Sequence, residues 1–196
     1  MPKKNVLSTG KIALISLGAL VLFSILFLWL SYNSLVSKEL NVESKWSDVQ
    51  VQYQRRVDLI PNLVESVKGY AQFEKSTLTE ITQLRTQWTN ARTIDEKINA
   101  GTQLDSAISR LLVTFENYPD LKTVETVNNL MVQLEGTENR ISVARRDYND
   151  AVRGYNTILR LFPTNIIANL FGFEKKTFFE AQEGSENAPK VNIKIQ

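Results

Sequence analysis

The chain has 196 residues, a formal net charge of +2, and neither a cysteine nor a histidine. The first absence removes disulfides, thiol nucleophiles and thiolate metal sites; the second removes a zinc hydrolase, a Ser-His-Asp triad and a Glu-x-x-His di-iron bundle. Balanced, interspersed charge, with no glycine-rich phosphate loop, gives no reason to expect a cofactor or a nucleic-acid partner.

Residues 1–11 form a short tail carrying Lys3, Lys4 and Lys11 and no acid. Ile12 to Leu30, IALISLGALVLFSILFLWL, is nineteen residues without a charge. At helical rise it spans about 28 Å, close to a bilayer core. Trp29 and Tyr32 stand where an aromatic belt belongs. No small-x-small cleavage site follows, which favours an uncleaved anchor over a signal peptide. On the far side Lys38 and Lys45 sit among Glu39 and Glu43. The positive-inside rule then favours a cytoplasmic N-terminus with the large domain outside. Three of the 23 basic residues precede the span, leaving 20 against 21 acids, so the remainder is near −1.

The bundle is expected over residues 31–162. Tyr53, Val57, Ile60, Val64, Val67 and Ala71 recur at steps of 4, 3, 4, 3 and 4, a heptad stripe. It predicts helix over about 32–91, with a kink or a break at 58–61. Pro61 either bends one rod, by removing the bond to Val57, or opens a new helix capped by Asp58. The four residues from Thr93 to Glu96, TIDE, read as a capping box for a helix over 94–117. Its buried stripe is Ile98, Leu104, Ile108, Leu111, Leu112 and Phe115. Pro119 or Asp120 opens a third helix, running over 120–162, in which Gly136 and Gly154 each cost about 1 kcal/mol against alanine.

Residues 163–196 begin with a short helix, TNIIANLFGF, for which Thr164 is the expected cap and Gly172 the terminator. Phe171, Phe173, Phe178 and Phe179 argue that the next stretch docks on the bundle, since disordered segments are poor in aromatics. Gly184 to Gln196 is expected to be loose, and only the closing KVNIKI has a strand pattern. The fold class is all-α. A single N-terminal transmembrane helix is followed by an antiparallel, up-and-down bundle of three to four long helices, then a short helix and an extended C-terminal tail.

Several blocks carry a resemblance: YNSLV, Trp46, VQYQRRVDLIPNLVESVKGYA, RRDYNDAVRGYNTILRLFP, NLFGFEKKTFFEA and APKVNI. Through them the chain resembles the LemA family of bacterial membrane proteins over nearly its whole length. Tyr32, Asn33, Leu35, Val36, Trp46 and Asp48 fill the family's opening pattern. Where many relatives carry a histidine before a glutamate, this chain has Phe73-Glu74, so no histidine role transfers. The resemblance implies a helical bundle on a membrane anchor, with a four-helix count, and implies no activity. The expected location is the bacterial inner (cytoplasmic) membrane, crossed once, and the lysine distribution puts the soluble domain on the periplasmic or extracellular face.

Paired carboxylates occur at Asp58/Glu65 and at Asp147/Asp150, but such spacings read as solvated helix faces, and no catalytic residue is assigned. The polar residues near inner faces are Arg55, Arg56, Asp58 and Asn62 on the first helix, and Arg145, Asn149, Tyr155 and Asn156 on the long one. If those helices are neighbours, the two sets form either a buried network that fixes helix register or a pocket for a ligand or partner. Tyr53, Tyr148, Tyr155, Trp46 and Trp88 read as core before they read as a binding face. The functional expectation is a non-enzymatic envelope scaffold or protein-interaction module with an unknown protein partner, and with homo-oligomers as a further expectation. The alternative is a protein that senses or remodels lipid through its anchor and aromatic C-terminal segment.

Overall fold

The computed structural model describes residues 9–68 and 75–180. The fold is an all-α helical bundle, with six helices and no strand among the described residues. They are α1 (Thr9–Val67), α2 (Lys75–Asn90), α3 (Ile94–Glu116), α4 (Pro119–Lys122), α5 (Glu125–Ile158) and α6 (Thr164–Phe171). The continuation of the first stripe to Ala71, the Phe73-Glu74 pair, the loose end from Gly184 and the strand-like KVNIKI lie outside the described residues.

The chain divides into two compact units: Met1–Glu43 with Ala151–Lys176, and Ser44–Asp150 with Thr177–Gln196. In the first, the apolar side chains from Ile12 to Leu30 are exposed on all sides of α1, as at Leu14, Leu22 and Phe23. A helix apolar all round and this long is one that crosses a membrane. Past it, Leu35, Val42, Val152, Tyr155, Leu159, Ile167 and Ala168 are buried. Tyr32 meets Phe171 at 4.9 Å and Phe173 at 5.8 Å between ring centroids. Lys176 Nζ pairs with Glu39 Oε1 at 2.6 Å. α6 ends on Gly172, whose φ of 75° is the left-handed conformation that a residue without Cβ adopts freely. Thr164 is not its cap. It is the first helical residue, and Pro163 precedes it without a side-chain bond. The opening amides have backbone acceptors instead: Asn165 N–H donates to Leu161 O at 2.8 Å and Ile166 N–H to Pro163 O at 3.2 Å.

The second unit holds the C-terminal part of α1, all of α2, α3 and α4, and most of α5. Val49, Tyr53, Val57, Ile60, Leu63 and Val67 form the buried face of α1. Pro61 does not break it: α1 runs through the proline to Val67, and the chain is next helical from Lys75. Asp58 caps nothing; it is exposed and accepts from Gln54 Nε2 at 2.7 Å. Proline lacks the N–H that would bond the carbonyl four residues back. That carbonyl belongs to Val57, and Arg85 Nε from α2 donates to it at 2.9 Å. The helix survives its proline because a side chain from another helix replaces the lost donor.

α3 opens with a full capping box. Glu96 N–H donates to Thr93 Oγ1 at 3.1 Å, and Thr93 N–H to Glu96 Oε2 at 3.2 Å. The long helix begins later than expected. Pro119 opens only the single turn of α4, where Thr123 Oγ1 donates back to Asp120 O at 2.7 Å, and α5 starts at Glu125. A hydroxyl bonded to the backbone in this way competes with continuing the helix.

Candidate functional site

The residues of chemical interest meet inside the second unit, where α1, α3 and α5 each deliver a charged side chain. Arg56, fully buried, projects from the inner face of α1. Its Nη1 donates to Asp105 Oδ1, its Nε to Thr137 Oγ1 at 2.8 Å, and its Nη2 to Glu138 Oε2 at 2.7 Å. Thr137 in turn donates to Leu134 O at 2.6 Å. Asp105, also buried, receives the Tyr53 hydroxyl at 2.7 Å on Oδ2 and Arg145 Nη2 on the same oxygen. Arg145 also bonds the Tyr53 hydroxyl, and its guanidinium lies 4.7 Å from the Phe179 ring.

Two guanidiniums therefore face two carboxylates. A buried charge is tolerated where it is paired and hydrogen-bonded, and the planar arginine fork serves several acceptors at once. Burial pushes the Asp105 carboxyl up, against the pull of Arg145 and Arg56. Burial, followed by the charge of Asp105, raises the Tyr53 hydroxyl well above its ordinary value, so it stays protonated and donates. Tyr53 stacks on Trp88 at 5.7 Å, and Gly101 of α3 leaves the room its ring occupies.

Of the residues singled out in the sequence, Arg56 and Arg145 share this cluster. Arg55, Asp58 and Asn62 do not: all three are exposed. The carbonyl that Pro61 leaves open is met by Arg85 of α2 and not by any of these three. Asn62 lines an open cleft of ≈ 480 Å³ with Glu65, Ser66, Thr126, Asn129 and Leu130. Asn149 and Asn156 face main chain. Asn149 Nδ2 donates to Phe179 O at 2.9 Å and its Oδ1 accepts from Phe179 N–H at 2.9 Å. Asn156 makes the same double bond to Lys176, at 2.9 and 3.0 Å. Tyr155 is buried in the first unit, and burial, with Glu39 and Glu174 nearby, pushes its hydroxyl up to about 12. Trp46, Tyr148 and Phe179 form a ring cluster with centroids 5.5 to 6.0 Å apart, and the Tyr148 hydroxyl donates to Thr177 O at 2.9 Å.

Sequence reasoning missed Asp105, Thr137 and Glu138. For Asp105 a signal existed: it stands in the apolar stripe of α3, between Leu104 and Ile108, where an acid needs a buried partner. Among the described residues, no group of three acidic side chains is placed to hold a metal ion.

An ion cluster inside a helical bundle, in a chain with one long apolar helix near its N-terminus, defines a membrane-anchored bundle protein. The family model for the LemA family matches residues 45–193, and the chain belongs to that family. It is similar to Magnetosome protein MamQ 2 of Paramagnetospirillum magneticum, 27% identical over 185 residues, covering 81% of this chain and 68% of the relative. It is similar also to Protein LemA of Metamycoplasma hominis, 28% identical over 172 residues, covering 83% and 78%. Magnetosome protein MamQ of Magnetospirillum gryphiswaldense is 25% identical over 198 residues, covering 88% and 72%.

Proposed function

We propose that this single-span protein is a non-catalytic scaffold or protein-interaction module of the bacterial cell envelope. The observation that carries the reading is the mutual pairing of the polar interior: Arg56 bonds Asp105, Thr137 and Glu138, and Asp105 bonds Tyr53 and Arg145. A catalytic constellation presents such groups to a substrate; here they tie three helices together. In this reading the cluster fixes helix register, as buried polar groups do in bundles. The exposed surface, with both signs of charge interspersed, is what a partner meets.

The proposed organisation is an anchor over 12–30, a bundle over 31–162 and a docked segment from 163. Lys3, Lys4 and Lys11 support a cytoplasmic N-terminus, with the bundle on the outer face of the inner membrane. The partner is an unidentified protein or a second copy of the chain. Photo-crosslinkers at exposed Val113 and Val132, used in intact membranes, test the proposal. The expected result is a discrete adduct with one protein or with the chain itself. Only diffuse labelling, together with ligand-dependent stabilisation across a metabolite panel, would replace the scaffold by a small-molecule function.

A further inference from the structure

The run from Leu161 to Phe173, LFPTNIIANLFGF, contains no charged residue; exposed Arg160 precedes it, and exposed Glu174 and Lys175 follow it. α6 has two apolar sides. Ile167 and Ala168 are buried, whereas Phe162, Ile166 and Leu170 are 79%, 58% and 72% exposed. Ile166 and Leu170 are one helical turn apart and share a stripe, and Phe162 stands exposed in the turn that precedes the helix. An exposed apolar stripe of this kind needs an occupant.

The position of the stripe identifies the occupant. Phe171, at the end of α6, packs on Tyr32 with 4.9 Å between centroids. Tyr32 stands two residues beyond Leu30, the last residue of the apolar run. That is about 3 Å along the helix axis, which puts its ring at headgroup depth. α6 is therefore held at the edge of the hydrocarbon layer by the helix that crosses it. A helix lying there buries its apolar face about 5–10 Å into the headgroup–acyl boundary, with basic residues kept at its margin.

We propose that α6 and the turn before it form an interfacial foot, with Phe162, Ile166 and Leu170 seated in the same bilayer that α1 spans. The occupant is lipid, not a second copy of the chain, because Phe171, next to Leu170 in α6, packs on Tyr32 at the end of the membrane-crossing run. The inference rests on the membrane span of α1 and not on the scaffold role.

The chain has no native cysteine, so single sites can be labelled in the full-length protein. Ile166→Cys, Leu170→Cys and, as a control on the second unit, Val113→Cys each receive an environment-sensitive NBD label. The proteins are reconstituted in vesicles of phosphatidylcholine and phosphatidylglycerol. All three positions are exposed, so the label displaces no core. Circular dichroism checks helix content, and Phe162→Cys replaces any variant that loses it. At 166 and 170 the expected result is blue-shifted emission, quenched by lipid-borne nitroxide and protected from aqueous iodide, with the reverse at 113. Iodide quenching at 166 and 170 equal to that at 113 would overturn the proposal. Protection from both quenchers would overturn it too, since it would put protein on the stripe.

Discussion

Arg85 Nε lies 2.9 Å from the carbonyl oxygen of Val57, the acceptor that Pro61 deprives of its helical donor. A proline inside a helix usually costs about 3 kcal/mol or more, part of it through that orphaned acceptor. The two features are thus one device, and they predict a coupling. Arg85→Met should destabilise by about 1–3 kcal/mol, the cost of leaving a buried acceptor unmade. In a Pro61→Ala background, where the backbone regains its N–H, the same change should cost measurably less. Urea denaturation of the four proteins gives the cycle, and additive losses would show the two residues to be independent.

The cluster at Arg56 makes a second prediction. Removing one member of a buried ion pair strands the other, at about 3–5 kcal/mol. Arg56→Met should therefore lower the melting temperature severely, and Asp105→Leu should do so comparably. The pair Arg56→Met with Asp105→Leu should lose much less than the sum, because no charge is then stranded between those two positions. A double variant as unstable as the sum would contradict the closed-cluster picture.

Glycines separate by what surrounds them. A Cβ on Gly101 would lie 2.9 Å from Tyr53 Cζ, and that ring is held by Asp105 and Arg145. Gly101→Ala should thus lose by overpacking, at about 1–3 kcal/mol, more than it gains in helix propensity. At Gly136 and Gly154 an added methyl would meet nothing within 4 Å, so Gly136→Ala and Gly154→Ala should each stabilise by up to about 1 kcal/mol. Thermal melts should therefore move down for the first variant and up for the other two.

The capping box gives a pH dependence. Glu96 accepts from Arg92 N–H at 2.8 Å and from Thr93 N–H, and these bonds hold its carboxyl below the ordinary 4.5. Between that lowered value and 4.5 the unfolded chain binds a proton that the folded chain does not. Stability therefore rises with pH through this window, is complete above it, and is lost as pH falls through the folded value. Glu96→Gln should melt below the parent at neutral pH, and the gap should close in acid. Thr93→Ala, by removing the hydroxyl acceptor, should cost about 1 kcal/mol at neutral pH.

Asn149 predicts a local effect. Asn149→Ala removes both bonds to Phe179, each worth about 1 kcal/mol, and leaves the Trp46–Tyr148–Phe179 rings, the Arg145 guanidinium and the Tyr148–Thr177 bond to hold the segment. Amide exchange at Phe179 should accelerate well before the bundle core responds. Equal acceleration in the core would mean that Asn149 acts globally.

How much of this was legible in the sequence follows from where each partner lies. The stripe of α1 reads correctly at Tyr53, Val57, Ile60 and Val67, but Leu63 and not Val64 is the buried residue between the last two. The capping box of α3 is a local pattern and reads correctly, because its cause lies within a turn of the residues concerned. Pro61 was ambiguous for the opposite reason: its remedy, Arg85, is on another helix, and spacing along α1 cannot show it. Arg56 and Arg145 were picked out as residues near inner faces. Their common acceptor, Asp105, was not, although an acid on an apolar stripe could have been noticed. Thr137 and Glu138 had no local signal, since which residues of α5 reach Arg56 depends on helix register. Asn149 and Asn156 were noted for their spacing, but an amide addressing the main chain of an irregular segment leaves no pattern in that segment.

That last arrangement has an evolutionary consequence. The Asn149 amide reads only the N–H and C=O of residue 179, groups that nearly every amino acid carries. On either side of Phe179, whose own ring packs on Trp46 and Tyr148, attachment is thereby separated from identity. The neighbours Phe178 and Glu180 are exposed and are not chosen by the clamp. Sequence drift on this strip can alter what the protein shows to the outside while the strip stays fastened, so the surface can diversify without renegotiating the fold.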